Sequence, residues 1–156
     1  MSAKKTWRER LDGFKDLPKV KPIPEPMQKK HGKGSIVIPS PREVDALMRQ
    51  VPESRLTTVL QISERIASRH GTTIACTVTT GIFAGMAAQA AREDELAGAS
   101  AATPYWRTLK ANGELNPKYP GGIEQVMNRL EAEGHVVLQK GKRFLVEDYE
   151  KKLVGD

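Results

Sequence analysis

Thr103, Pro104, Tyr105, Trp106 and Arg107 place a proline, two large aromatics and a guanidinium in one run. Such a run makes a poor solvent loop. Proline fixes its own φ and drives Thr103 toward extended geometry, so the side chains that follow stand on a stiff segment. Tyr and Trp stack on bases and sugars, and Arg both stacks and grips phosphate. The chemistry these residues suit is nucleic-acid contact. A second chemical candidate is the lone cysteine, Cys76. A thiolate acceptor needs a nearby base or a helix N-terminus. Cys76 stands at the start of a predicted helix but has no flanking histidine, and a small buried cysteine is the other reading. No Gly-rich phosphate loop, paired-acid motif or Ser-His-Asp signature is present, and His70 before Gly71 reads as a helix end.

The elements that must carry these groups follow from local pattern. Ile36, Val37 and Ile38 form a short buried-strand run. Ser40-Pro41 opens a helix with an N-cap serine and a first-position proline, and Val44, Leu47 and Met48 give it an apolar face. Val51-Pro52 ends it. Thr58 caps a second helix, with Gln61 three residues on in capping-box register and Val59, Ile62 and Ile66 as its stripe. Gly71 is its expected C-cap. A short turn leads to a third helix over 76–95, and two helices joined this way read as helix-turn-helix.

The third helix carries Gly81, Ala84, Gly85, Ala87, Ala88, Ala90 and Ala91. Small residues admit a close backbone, either a packed helix or the wall of a DNA groove. Thr77, Thr79 and Thr80 at its start are candidate phosphate donors, aided by the helix N-terminus. Asn112-Gly113 and Asn116-Pro117 signal turns. Ile123, Val126, Met127 and Leu130 mark a further helix ending at Gly134. Val136–Leu138 and Phe144–Val146 flank Lys140–Arg143 as a hairpin with a basic tip. Beside a helix-turn-helix that hairpin reads as a wing, or else as a charged turn that guards a sheet edge. Tyr149 and Leu153 are expected to pin the C-terminus.

Charge is distributed unevenly. Residues 1–33 hold ten Lys or Arg against four Asp or Glu, which is the whole net charge of +6. The remainder is balanced, with fifteen of each sign. The expected organisation is therefore a basic, Pro-rich arm over 1–34 and a domain over 35–156. Pro18, Pro22, Pro24 and Pro26 favour extended geometry in the arm, while Trp7, Leu11 and Phe14 recur at helical spacing ahead of them. The arm reads equally as a solvated tail or as a phosphate contact. A hydrophobic share of 38% supports one modest core. No apolar run approaches membrane-spanning length, and no signal-peptide core opens the chain. One cysteine excludes an intrachain disulfide and fits a reducing, cytoplasmic setting. With three scattered histidines (His31, His70, His135) it does not make a structural zinc site, and no cofactor is expected.

The run from Pro104 to Gly134 resembles the active-site region of the alkylguanine-DNA alkyltransferases. That family reads P-C-H-R-V, then a turn, then Tyr-x-Gly-Gly, then Leu-x-x-Glu-Gly. Here the register reads Pro104-Tyr105-Trp106-Arg107-Thr108, then Gly113, then Tyr119, Gly121 and Gly122, then Leu130, Glu133 and Gly134. The acceptor cysteine position is Tyr105 and the following histidine position is Trp106. The chain therefore resembles the alkyltransferase-like branch, which lacks the acceptor thiol. The resemblance spans roughly 40–134. It implies a mainly α, winged helix-turn-helix fold that binds duplex DNA without catalysis and flags alkylated guanine for other repair proteins, acting as a monomer. It places Thr77, Thr79, Thr80, Gly81 and Arg107 against DNA. Pro104, Tyr105, Trp106, Tyr119, Gly121, Gly122 and Glu133 would line a lesion pocket. Two further departures concern base flipping: the family's rotating tyrosine is Val59, and its gap-filling arginine is Val78. Two other functions remain open, a protein-interaction module with an inherited fold and an alkyl-acceptor enzyme using Cys76.

Overall fold

The computed structural model describes residues 6–155. Helix α1 (Trp7–Leu11) begins with a capping box between Thr6 and Glu9. Strand β1 (Lys19–Pro22) follows, then a 3-10 turn and the one-turn helix α2 (Gln28–His31). Strand β2 (Ser35–Ile38) leads to helix α3 (Pro41–Arg49), where Ser40 and Glu43 form a reciprocal capping box. Strand β3 (Thr57–Thr58) runs directly into helix α4 (Val59–His70). Gly71, at φ 66°, turns the chain into strand β4 (Ile74–Ala75) and helix α5 (Thr77–Leu96). After a loop come the 3-10 turn Tyr105–Arg107, strand β5 (Thr108–Leu109), helix α6 (Gly122–Ala132) and the hairpin β6 (Val137–Lys140) and β7 (Arg143–Val146). A last 3-10 turn covers Tyr149–Lys152.

Three small sheets make the fold mixed α/β rather than mainly α. β1 pairs antiparallel with β2, which pairs parallel with β4. β3 and β5 form a parallel pair, and β6 and β7 form the hairpin. The extra sheet comes from the N-terminal segment, because backbone groups of 19–22 satisfy one edge of β2. The expected boundary at 34/35 therefore does not mark a free arm. α1 packs on α5 and buries Leu11, and Ile23 is buried beyond the strand. Phe14 stays 40% exposed, its ring 5.1 Å from that of Phe83.

The core forms around α5. Its Ala84, Ala87, Ala88, Ala90 and Ala91 are fully buried. Their lack of bulk lets α1, α3 and α4 pack against its backbone. The capping box expected at Thr58 is only half formed. Thr58 accepts from the Gln61 N–H at 3.0 Å, but the Gln61 amide donates to the Val154 carbonyl at 2.8 Å instead. That bond helps hold the C-terminal segment, which also bridges Leu56 through Leu153.

Asp45 joins the N-terminal helix to this core. Its buried carboxylate accepts from Thr103 Oγ1 at 2.6 Å, Arg49 Nε at 3.1 Å and Arg8 Nη1 at 3.4 Å. Asp45→Ala leaves a buried hydroxyl without its acceptor, so urea denaturation should show a loss of about 1–3 kcal/mol. Removal of the exposed Arg42–Asp12 pair by Arg42→Ala should change stability by less than about 0.5 kcal/mol in the same assay.

Candidate nucleic-acid interface

Three segments distant in sequence meet at Glu133, the residue that ends α6. Its Oε2 accepts from Arg107 Nη2 at 2.6 Å and from Trp106 Nε1 at 3.0 Å. Its Oε1 accepts from Arg107 Nε at 3.0 Å and from the Ser54 N–H at 3.3 Å. Arg107 Nη1 donates to the Val51 carbonyl at 2.8 Å. Desolvation pushes the Glu133 carboxyl up, but the bonds from Arg107, Trp106 and Ser54 outweigh it and hold the group below its ordinary value.

This geometry corrects the expected role of Arg107. Each of its guanidinium nitrogens already has a partner, and its side chain is 14% exposed. It fastens the turn to the α3–β3 loop and does not reach for phosphate. The expected lesion pocket is likewise filled. Tyr105 is completely buried, edge-on to Trp106 at 5.4 Å and to Tyr119 at 5.8 Å. Pro104 and Tyr119 are buried beside it. Burial pushes the hydroxyls of Tyr105 and Tyr119 upward, so both stay neutral. Trp106 is half-buried, with Arg129 at 4.3 Å and Arg107 at 5.4 Å from its ring centroid. Its hydrogen-bonding edge is spent on Glu133. Gly121 and Gly122, at φ 85° and 72°, form the turn into α6 and lie outside the groove described below. At Gly121 a Cβ would also lie 1.9 Å from Gln125 Oε1.

The open site lies one layer away. A groove of about 820 Å³ runs between α5 and the 110–119 loop. Val59, Val78, Gly81, Ile82 and Gly85 form its apolar side, and Lys110, Asn112, Asn116 and Lys118 its polar side. Val78, Ile82 and Gly85 fall at i, i+4 and i+7, on one face of α5. Val78 is 74% and Ile82 57% exposed. A Cβ on Gly85 would meet nothing within 4 Å, and one on Gly81 only Val59 at 3.7 Å. The small residues of α5 thus divide: the alanines serve packing and the glycines open the groove.

The threonines divide as well. Thr77 is exposed and lines the groove. Thr79 Oγ1 lies 3.1 Å from Cys76 Sγ. Thr80 is fully buried and donates to the Cys76 carbonyl at 2.8 Å, so it does not face DNA. Cys76 precedes α5 as its N-cap residue without accepting a backbone N–H on its thiol, whose partner is the Thr79 hydroxyl and not a base. Among the expected site residues, Thr77, Gly81 and Tyr119 come together at the groove. Val78, Ile82 and the 110–118 side chains join them, a grouping foreshadowed only by the apolar i, i+4, i+7 pattern left over from the alanine stripe.

The fold is similar to that of one solved protein. It aligns with the crystal structure of S. pombe Atl1 in complex with damaged DNA containing O6-carboxymethylguanine, at a TM-score of 0.53 and 15% identity, over 74% of this chain and 94% of that one. No protein-family model matches the sequence, and no curated protein sequence does.

Two outcomes test the buried cluster. Tyr105→Phe loses only a 3.5 Å contact to the Pro120 carbonyl and should cost less than about 1 kcal/mol. Tyr105→Ala should cost about 3–5 kcal/mol in urea denaturation. The second outcome concerns pH. His135 is buried with both ring nitrogens unpartnered, and desolvation holds its pKa below the ordinary value. The unfolded chain therefore binds more protons as pH falls through the histidine range, and stability declines there. At lower pH the folded state loses what the ionised Glu133 contributes as that carboxylate protonates. Urea midpoints should fall in two steps on acidification, and Glu133→Gln should abolish the lower step while keeping the upper.

Proposed function

We propose that the protein binds duplex DNA through the exposed face of α5 and receives an extruded base in the groove beside the 110–119 loop. The observation that carries this reading is the groove itself. It is apolar along the helix and amide- and lysine-lined on the loop, and its volume falls within the roughly 300–1,000 Å³ of small-molecule sites. An apolar wall stacks a base, while lysines take the flanking phosphates. The fold shared with a protein seen on damaged DNA supports the same reading. In it, α4 and α5 act as a helix-turn-helix, and the β6–β7 hairpin, with Lys140, Lys142 and Arg143 exposed at its tip, acts as a wing. Val78 stands at the second residue of α5 and inserts where a base leaves the stack, as apolar wedges do.

The filled Tyr105 site bars alkyl transfer at that position, so binding without repair is the expected activity. Alkylated guanine is the proposed ligand. Other repair proteins are the proposed downstream partners of a monomeric, cytoplasmic or nucleoid-associated sensor. A second reading rests on the same apolar exposure: Val78 and Ile82 would suit a protein surface, and no cation lines the α5 side of the groove.

The deciding experiment titrates the full chain onto two duplexes, one with a single O6-alkylguanine and one unmodified, at low and moderate salt. A preference for the modified duplex that persists with salt supports the groove reading. Ile82→Glu should then reduce affinity at least tenfold with no change in thermal midpoint, since Ile82 is exposed. Binding unaffected by Ile82→Glu would remove α5 from the interface. No binding to either duplex would favour the protein-interaction reading.

A further inference from the structure

A second groove, of about 750 Å³, lies on the other side of the first turn of α5. Lys30 and His31 of α2 line it together with Ser63, Thr72, Thr73 and Thr77. It shares Thr77 and Val78 with the first groove, so the two adjoin at the start of α5. The N-terminal segment thus brings lysines to the edge of the proposed DNA-binding face.

That placement is held firmly. Thr73 sits in the turn between α4 and α5, and its N–H donates to the Ser35 carbonyl at 3.0 Å. The Ser35 N–H donates back to Thr73 Oγ1 at 3.2 Å. Gly34 passes so close that a Cβ there would lie 2.2 Å from Thr73 Oγ1. The Gln28 amide ties the start of α2 to the Ile23 carbonyl at 3.0 Å. A segment stitched this way to the helix-turn-helix loses little freedom when it binds, which lowers the cost of association.

The charge is also uncommitted. Lys15, Lys19, Lys21, Lys29, Lys30 and Lys33 are all exposed, and none forms an ion pair among the described residues. Between residues 13 and 33 only Asp16 and Glu25 oppose them. Residues 34–156 are balanced in charge, so residues 13–33 carry +4 of the net +6. Two thirds of the protein's surplus therefore lies on this segment, whose α2 end borders the start of α5. A surface of this kind fits a dense, regular line of negative charge, and a duplex presents one phosphate per roughly 1.7 Å of its axis.

We infer that α2 and the Lys33 turn form a second DNA contact, a backbone clamp that takes phosphates flanking the site entered by α5. The inference rests on the DNA-binding reading of the α5 face. It converts a groove that reads a base into an interface with an additional, sequence-independent footing, since phosphate contacts fix register but carry no base information.

The test compares the salt dependence of binding to an unmodified duplex for the full-length wild type and for Lys29→Gln/Lys30→Gln/Lys33→Gln. All three lysines are exposed, and unchanged urea midpoints confirm that the variant is folded. Each lost phosphate contact lowers the slope of log K against log salt by about 0.9. The triple variant should therefore show a slope smaller by about 2–3, while Ile82→Ser weakens binding at unchanged slope. A wild-type slope in the triple variant, with binding intact, overturns the clamp and leaves the α5 reading standing. Absence of wild-type binding to any duplex overturns both.

Discussion

The Glu133 carboxylate gathers the indole N–H of Trp106, the guanidinium of Arg107 and the backbone N–H of Ser54 at the end of α6. Its position determines much else. The Ser54 hydroxyl donates to the Glu133 carbonyl, which helps hold Ser54 at φ 68°, a conformation that L residues adopt with difficulty. Arg107, oriented by the same carboxylate, reaches back to Val51 and closes the α3–β3 loop. Trp106, fixed by its N–H, forms the edge against which Tyr105 packs. A carboxylate so heavily bonded stays ionised, and a charge held this far from water is stable only while all its partners stay in place. The knot therefore couples α6, the aromatic turn and the loop before α4 into one unit.

What that unit supports is α5. One face of the helix is alanine, pressed against α1, α3 and α4; the opposite face is Val78, Gly81, Ile82 and Gly85, left open. The wall across the groove is the 110–119 loop, and it is positioned from both ends. Tyr119 packs on Tyr105, while Gly113 lies so near Tyr149 that a Cβ would stand 2.3 Å from the ring. The same Gly113 carbonyl accepts from Val146 of the hairpin. Core packing, the C-terminal turn and the β6–β7 pair thus all converge on the shape of one groove. Tyr105 contributes from beneath, where it fills the space behind Tyr119.

The N-terminal segment changes the electrostatics of this assembly without entering its core to any depth. Leu11 and Ile23 are its two buried anchors. Asp45, Glu93 and Asp94 receive α1: Glu93 accepts from the Trp7 N–H at 2.8 Å and Asp94 from Arg8 at 3.0 Å. The acidic groups that receive this helix belong to α3 and α5, and none of them pairs with the lysines of 15–33 among the described residues. The lysines of that later stretch form no ion pair among the described residues.

Local pattern alone determined the elements that carry their own instructions. Ser40-Pro41 opens α3, Gly71 ends α4, Ile36–Ile38 makes a buried strand, and the basic tip at 140–143 makes a hairpin, because caps, left-handed glycines and apolar periodicity act within a few residues. The motif from Pro104 to Gly134 spans the Glu133 cluster and the loop that walls the groove. Tertiary structure decided what each residue there does. Arg107 has one guanidinium, and Glu133, twenty-six residues away, claims it; no local rule reveals which acceptor wins. Thr77 and Thr80 look alike in sequence, yet the helix turns one outward and buries the other. The alanines and glycines of α5 separate only when neighbours arrive on one side. The segment before Gly34 reads as a loose arm because its prolines and lysines favour solvent locally. It becomes a strand and a ledge because β2 has an unpaired edge whose backbone groups must be satisfied.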